Sequence, residues 1–248
     1  EVRELLSLLQ TEFTKLRRRK LVWLMLGTAL IMPVLAMLLF GYRGDTNVEP
    51  AEFYRWSAFG ATLFVILPVV LGVFSTMLMY NETRNDTLKE LWMIPVSRLG
   101  YFFGKFFMVL FYSLSYMLVT AIGSAVLSII PGYVAFQWDT IGFLFEKCLE
   151  IGALNACAMV PVLAAASIAK GYILPFCLTL VYAFAGFFLM TVNMYAHPIC
   201  STAAIVMRNG DIPGVTFSQP LNIVSAVICI VMWGTVSVVL AWFALRRK

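Results

Sequence analysis

The sequence predicts an all-α integral membrane protein with six transmembrane helices, and three observations lead to this fold class. The chain of 248 residues is 61% hydrophobic and only 12% charged, whereas soluble domains are about 45–50% apolar and about 25% charged. Six apolar runs reach about 20 residues, the length that a helix needs to cross a bilayer. These runs are continuous, whereas the strands of a membrane barrel alternate with period two. The apolar composition also excludes an intrinsically disordered chain.

The chain divides into an N-terminal segment, residues 1–20, and a single six-helix transmembrane domain, residues 21–248. The predicted spans are 21–40, 56–79, 103–130, 148–169, 172–192 and 221–245. The third and sixth runs exceed the minimum length, which permits tilt. Prolines are expected to kink three spans, at Pro68, Pro161 and Pro175. Polar side chains within the spans more often hydrogen-bond between helices than bind a ligand, and they are Thr120, Ser124, Asn155 and Thr179.

The N-terminal segment has an amphipathic pattern of its own. Its apolar residues recur at three- and four-residue spacing, at Leu5, Leu6, Leu9, Phe13 and Leu16. This spacing predicts a helix that lies in the membrane interface and ends in a cationic cluster. The alternative is a short extension of the first span into the cytosol. A cleaved signal peptide is disfavoured because the following run lacks an A-x-A-like site.

The distribution of basic residues predicts the orientation of the bundle. Of the 18 Lys and Arg residues, 14 fall on the side of the two termini, and the exceptions are Arg43, Arg55, Lys147 and Arg208. Because basic residues are enriched in cytoplasmic loops, both termini are predicted to be cytoplasmic. Nucleic-acid binding would need a water-exposed domain to carry the basic patch. No segment outside the spans is long enough for one, so no nucleic-acid partner is expected.

The connection between the second and third spans, residues 80–102, predicts a short amphipathic helix. Asp86 or Thr87 can cap it, and Leu88, Leu91 and Trp92 form its apolar stripe. The helix should end before Pro95, because the residue before a proline is pushed out of the α region. Ser97 then offers a cap for the third span. Such a helix can lie on lipid headgroups or fill a groove in a soluble partner.

The connection between the fifth and sixth spans, residues 193–220, is too apolar for an ordinary solvated loop. Residues 194–207 are apolar but too short to cross, and residues 209–214 have the composition of a turn. A stretch of about 10–14 apolar residues suits a re-entrant or interfacial segment better than a seventh span. A seventh span would also move the basic C-terminal residues to the outside.

The sequence carries no recognisable catalytic constellation, and no catalytic or metal-binding residues are predicted. There is no P-loop of the form G-x-x-x-x-G-K-[ST] to hold nucleotide phosphates. The single histidine, His197, precedes a proline in a predicted outer loop and cannot build a zinc site alone. The five cysteines are scattered without a C-x-x-C pair, and Cys200 is expected near the outer face. We therefore expect no cofactor in this chain.

Three charged residues cluster at the outer start of the predicted fourth span: Glu146, Lys147 and Glu150. Lys147 and Glu150 are three residues apart on a helix and can pair, which leaves Glu146 as the odd carboxylate. The cluster can extend to the outer headgroups, or it can serve a substrate-sensing or gating role at the outer mouth. The middle of the spans is nearly free of ionisable groups, which disfavours an ion-coupled transporter, since such proteins use charged relays.

The loop between the second and third spans resembles a known family. The sequence E-T-R-N-D-T-L-K-E-L-W-M-I-P-V-S-R-L-G-Y-F-F-G-K, Glu82–Lys105, is similar to the cytoplasmic loop of bacterial ABC-2-type transporter permeases. The N-terminal E-F-T-K-L-R-R-R-K, Glu12–Lys20, is similar to the segment that precedes the first span in that family. Length, six spans and cytoplasmic termini agree. Within the family, the sequence is most similar to the permeases of lantibiotic- and bacitracin-protection exporters.

The resemblance implies a role for each of these segments. The N-terminal helix would be the family's elbow helix, with Glu12, Lys15, Arg17, Arg18 and Arg19. Residues 86–92 would form the coupling helix that docks on a cytoplasmic ABC ATPase subunit. The residues at this joint would be Glu82, Arg84, Asp86, Leu88, Leu91, Trp92 and Arg98. The apolar stretch before the sixth span would form re-entrant outer helices.

The function that the resemblance implies is export across a bacterial cytoplasmic membrane. The chain would pair with a second copy or a homologous permease, and ATP and Mg would be bound by the separate ATPase subunit. The substrate would be amphipathic, such as an antimicrobial peptide or a lipid-linked compound, which points to antibiotic resistance or lantibiotic immunity. The alternatives are a stand-alone ion-coupled transporter or channel, an intramembrane enzyme, and a non-transporting sensor or assembly subunit.

Overall fold

The computed structural model confirms an all-helical membrane architecture. It describes Thr14, Leu16 and residues 19–44, 48–84, 97–169, 171–210, 212 and 221–246, with residues 81–84 described by their backbone alone. These residues form helices and contain no strand. Among them, six helical segments are long and apolar enough to cross a membrane: Lys20–Arg43, Pro50–Tyr80, Arg98–Ile129, Trp138–Ile168, Ile173–Val192 and Ile223–Arg246. The number and order of the predicted spans are therefore confirmed.

The α-helices of the described residues are numbered here in chain order. The first span contains α1 (Lys20–Gly27) and α2 (Ile31–Arg43), joined by a 3₁₀ turn; the second contains α3 (Pro50–Tyr54) and α4 (Leu67–Arg84). The third span is α5 (Arg98–Ile129), and the fourth contains α6 (Trp138–Ala158) and α7 (Val160–Ile168). The fifth span is α8 (Ile173–Val192), followed by the short α9 (Pro198–Val206) and the sixth span, α10 (Ile223–Arg246).

Contacts between loops and helix ends define two ends of the bundle. At the terminal end, which carries Lys20 and Arg246, the start of α5 lies beside the end of α10. Tyr80 and Tyr172 are in ring contact there, with centroids 5.6 Å apart. At the opposite, distal end, the Val48 N–H donates to the Tyr133 carbonyl at 2.8 Å. The alternation of the six spans thus brings both described chain ends to one side.

Three spans begin at least five residues earlier than the sequence predicts, and one of them, the third, begins at Arg98 instead of residue 103, directly after its predicted cap Ser97. The second begins at Pro50 instead of residue 56, and the fourth at Trp138 instead of residue 148. The added residues include Glu52 and Glu146, which a hydropathy criterion places outside a span. Glutamate is nevertheless a good helix former, so the helix continues past the apolar run. Proline at the first turn of α3 likewise favours a helix start at that position.

The second and fourth spans are interrupted, and they are also the most buried. The second contains two π-helical turns, Arg55–Phe59 and Thr62–Ile66, on either side of Gly60. The fourth breaks at Met159, two residues before Pro161, as the proline predicts. Buried residues make up 72% of the apolar window of the second span and 67% of that of the fourth. Irregular backbone within a membrane protein is tolerated where protein shields it from lipid.

The remaining spans surround this interior pair. The apolar windows of the first, fifth and sixth spans are only 28%, 22% and 22% buried. Hydrogen bonds between helices attach the first span to the third: the Thr120 hydroxyl donates to the Ala29 carbonyl at 3.2 Å. Asn155 likewise donates to the Leu63 carbonyl of the second span at 3.4 Å, as expected. Thr179 differs from the expectation, because its hydroxyl bonds to Pro175 in its own helix.

Candidate functional site

The segment between the fifth and sixth spans contains a short helix that is entirely buried. Helix α9 follows His197 and begins with Pro198, a residue whose fixed φ suits the first helical position. All nine of its residues are buried, and it packs against α6, α8 and α10. Nine residues rise about 14 Å, roughly half of the hydrocarbon core. The prediction of an apolar segment too short to cross is therefore confirmed in length.

His197 caps the first turn of α9 from a buried position. Its Nδ1 accepts a hydrogen bond from the Ile199 N–H at 3.3 Å, and its ring centroid lies 4.2 Å from that of Tyr182. The side chain is 5% exposed, and Nε2 has no hydrogen-bond partner among the described residues. Burial lowers the pKa of His197 to about 4, so the ring is neutral at pH 7. Histidine is not among the usual capping residues, so the residue type alone does not predict this role.

Close packing joins the start of α9 to the fifth span at Gly186. A Cβ at this position would lie 3.0 Å from the Ile199 Cβ and 3.1 Å from the His197 Nδ1. The Cys200 thiol donates to the Gly186 carbonyl across the same contact. The Cys200 side chain is fully buried, and its predicted position near the outer face stays a prediction. Its burial follows from the inward packing of the whole helix.

Two cations satisfy carbonyls at the C-terminal end of α9. The Lys147 ammonium donates to the Val206 carbonyl at 2.8 Å, and the Arg208 guanidinium donates to the Ile205 carbonyl at 2.9 Å. The last carbonyls of a helix have no partner within the helix and carry partial negative charge. The two side chains therefore stabilise this end of α9 by both hydrogen bonding and charge.

Glu150 forms ion pairs with both cations. Its carboxylate forms an ion pair with Lys147, with 3.5 Å between Nζ and Oε2, and accepts a hydrogen bond from Arg208. We call Lys147, Glu150 and Arg208 the distal latch. The predicted pairing of Lys147 with Glu150 is confirmed. Arg208 was missed because it lies 58 residues from Glu150 in the sequence.

The three charged residues predicted at the outer start of the fourth span, Glu146, Lys147 and Glu150, thus lie in two different environments. Lys147 is only 3% exposed and points into the protein, so the expectation that it extends to outer headgroups is wrong. The carbonyl of Val206 and the carboxylate of Glu150 provide the polar surroundings that headgroups would otherwise supply. Glu146, in contrast, is exposed. A role of the three residues toward a substrate stays a prediction.

Most of the residues predicted to contact an ATPase lie outside the described part of the chain. These are Asp86, Leu88, Leu91 and Trp92. Glu82 and Arg84 belong to the last turn of α4, and Arg98 is the first residue of α5. Ser97 caps α5 as predicted, since its hydroxyl accepts from the Gly100 N–H at 3.0 Å. Of the predicted elbow residues, Arg19 immediately precedes α1, whereas Glu12, Lys15, Arg17 and Arg18 also lie outside.

The start of α5 and the end of α10 together form a polar cavity at the terminal end. It has a volume of about 580 Å³ and is lined by Ser97, Arg98, Leu99, Trp242 and Arg246. The Arg246 guanidinium stacks on Trp242, with 3.7 Å between Cζ and the ring centroid. Lys105, the last residue of the quoted loop motif, is fully buried with its ammonium 5.4 Å from the Tyr101 ring centroid. This end of the bundle thus concentrates cations beside the predicted coupling loop.

The described residues provide no metal site, since none of them form a group of three or more His, Cys, Asp or Glu side chains.

A comparison with known families gives a match to the ABC-2 family transporter proteins over residues 8–186. The chain belongs to this ABC-2 family. Among curated proteins, none matches the chain.

The match to the ABC-2 family covers more than half of the chain. It includes the first four spans and the loop between the second and third spans. The protein is therefore a multi-pass membrane protein and the permease component of an ABC transporter. Permeases of this family typically work with an ABC ATPase subunit and generally lack an ATPase site of their own. The sequence contains no P-loop, as expected for a permease whose ATP is bound by a separate subunit.

Proposed function

We propose that this permease exports an amphipathic substrate, such as an antimicrobial peptide or a lipid-linked compound, using ATP hydrolysed by a separate subunit. The family match over residues 8–186 is the observation that carries the proposal. A second copy or a homologous permease would complete the pathway in a bacterial cytoplasmic membrane. The resemblance to lantibiotic- and bacitracin-protection permeases supports a peptide antibiotic as the substrate class.

The ATPase subunit would dock at the terminal end of the bundle. Residues 86–92 would form the coupling helix and insert Leu88, Leu91 and Trp92 into a groove of the ATPase. The polar cavity beside Arg98 and Arg246 lies at the same end and suits carboxylates of the docked subunit, because guanidinium groups bind carboxylates with two parallel hydrogen bonds. The elbow residues would lie along the adjacent membrane interface.

Helix α9 would act as a re-entrant element that closes the distal end between transport cycles. Its complete burial and the distal latch support this proposal, since a closed outer end must hold its backbone polar groups inside protein. Movement of the fourth span during the ATPase cycle would act directly on α9 through Lys147 and Glu150. Glu146 would face the substrate on the outer side.

Purification from native membrane followed by ATPase assays tests the proposed function. We expect an ABC ATPase to co-purify and its activity to rise when the amphipathic substrate is added to the reconstituted complex. Transport by the chain alone, in liposomes with an ion gradient and without ATP, would instead support the stand-alone transporter. The first result requires ATP as the energy source, whereas the second requires only an ion gradient.

Substitution of the apolar stripe tests the coupling helix separately. The triple variant Leu88→Ala, Leu91→Ala, Trp92→Ala should lose ATPase stimulation, because truncation of central apolar anchors typically costs about 2 kcal/mol or more each. Glu90→Ala is the matched control, since residue 90 falls on the opposite face of the predicted helix. Unchanged complex formation and unchanged stimulation in the triple variant would refute the docking proposal.

A further inference from the structure

A second cavity lies within the terminal half of the bundle, between the first, second and third spans. Its volume is about 310 Å³. Helix α1 contributes Val22 and Leu26, while α5 contributes residues from Met108 to Ser115, seven positions or about 10 Å along its axis. Phe74 forms the floor and is stacked on Tyr112, with ring centroids 4.1 Å apart. The cavity is thus an elongated groove parallel to the helices.

The chemistry of the groove suits a hydrocarbon chain. Its two hydroxyl groups already donate within the protein: Tyr112 to the Val22 carbonyl at 3.2 Å, and Ser115 to the Phe111 carbonyl at 2.9 Å. Apolar side chains form the rest of the wall. Trp23 and Phe111 at the edge are 59% and 53% exposed, so the groove faces the surrounding lipid. An occupant therefore needs an apolar body and can enter from the bilayer.

Positive charge lies at one end of the groove. Arg19 and Lys20 directly precede the α1 residues that line it, and Lys20 is exposed. Trp23 follows one turn later, as is typical of the boundary between headgroups and hydrocarbon. Cations near the membrane surface, such as Arg19 and Lys20, attract anionic lipid headgroups.

We propose that the groove binds one acyl chain of an anionic phospholipid, whose phosphate is held by Arg19 and Lys20. The apolar walls select a hydrocarbon chain and the adjacent cations select the headgroup. The bound lipid would fill the space between the first span and the third. The proposal does not depend on the transported substrate or on the ATPase.

Photo-crosslinking in nanodiscs tests the proposal with the full-length chain. Phosphatidylglycerol and phosphatidylcholine, each carrying the same photoactivatable acyl chain, are compared at equal concentration and the labelled peptides are mapped by mass spectrometry. We expect phosphatidylglycerol to label the peptides that contain Val22–Leu26 and Met108–Ser115. Equal labelling by the two lipids, or no labelling of these peptides, would overturn the proposal.

Two sets of variants separate the acyl chain from the headgroup. Ser115→Phe fills the groove and should abolish labelling, whereas Leu118→Phe, on the same helix outside the groove, should leave it unchanged. Arg19→Gln with Lys20→Gln should reduce the preference for phosphatidylglycerol about fivefold per cation removed. Arg43→Gln at the distal end is the charge control. If Ser115→Phe does not fold, the variant with Arg19→Gln and Lys20→Gln still tests the proposal. An unchanged lipid preference in that variant refutes the proposal.

Discussion

Lys147 carries a positive charge at a nearly fully buried position, and its neighbours explain how the protein tolerates it. A buried charge is costly unless it is paired and hydrogen-bonded. Lys147 has both kinds of partner, the Glu150 carboxylate at 3.5 Å and the Val206 carbonyl at 2.8 Å. Since the carbonyl belongs to the end of α9, the same side chain that needs compensation also fixes the position of that helix.

Removal of the shared carboxylate should destabilise the distal latch. Glu150→Gln leaves Lys147 and Arg208 as two neighbouring cations without their common partner, so we expect a loss of about 2 kcal/mol. Glu146→Gln, one turn away and exposed, is the matched control and should have little effect. Thermal unfolding of both variants in detergent provides the measurement. Equal midpoints for the two would show that Glu150 does not hold the latch.

The buried imidazole of His197 predicts that acid destabilises the protein. Its pKa is about 4 in the folded chain against 6.5 when unperturbed, so the unfolded state takes up the proton first. The contribution of the neutral ring is therefore complete above pH 6.5 and is lost as the pH falls toward 4, by about 3 kcal/mol in total. His197→Asn keeps a capping side chain without the titration. Unfolding midpoints between pH 7 and pH 4.5 should fall more steeply in the parent chain; parallel curves would contradict this.

At the scale of elements, close helix contacts rather than apolar volume determine which positions tolerate a methyl group. Gly72 in α4 lies against Thr179 in α8, and a Cβ there would lie 2.8 Å from the Thr179 Cβ. Small residues at such contacts let membrane helices approach each other. By contrast, a Cβ at Gly234 in α10 would meet no atom within 4 Å.

The two glycines should respond in opposite directions to alanine. Gly72→Ala forces the second and fifth spans apart and should cost about 1–3 kcal/mol. Gly234→Ala adds no clash and should be neutral or stabilising by about 0.5–1 kcal/mol, because alanine is the better helix former. Chemical denaturation of both variants in the same detergent tests the comparison. A loss of stability in Gly234→Ala as large as in Gly72→Ala would contradict it.

Elements were easier to predict from the sequence than the contacts between them. Apolar run length located six spans, and the proline at position 161 located the break at Met159, because both signals are local. The early starts at Pro50 and Trp138 were missed, since helix propensity continues where hydropathy ends. The distal latch was only half visible: Lys147 and Glu150 are one turn apart, but Arg208 reaches them through tertiary folding alone. Pro198 locally indicates a helix start, but His197 before it is not a usual capping residue.

At the scale of the whole molecule, the terminal end is predicted to face the cytoplasm. Thr14→Cys at the terminal end and Tyr42→Cys at the distal end, where Tyr42 is 93% exposed, provide one reporter for each side. A membrane-impermeant maleimide added to intact cells should label Tyr42→Cys and spare Thr14→Cys. The parent chain, with Cys177 as its exposed described cysteine, gives the background. The reverse labelling would invert the orientation and remove the ATPase from its proposed docking side.

The shielding of the second and fourth spans implies that one bundle is subject to two kinds of evolutionary constraint. Positions on the outer faces of the first, fifth and sixth spans need only dissolve in hydrocarbon, so exchange among Leu, Ile, Val and Phe is nearly neutral there. The interior pair must reproduce the shape of two π-helical turns and a break at Met159. We therefore expect sequence change to be slowest in these two mostly buried spans and fastest on the lipid-facing exterior of the other three.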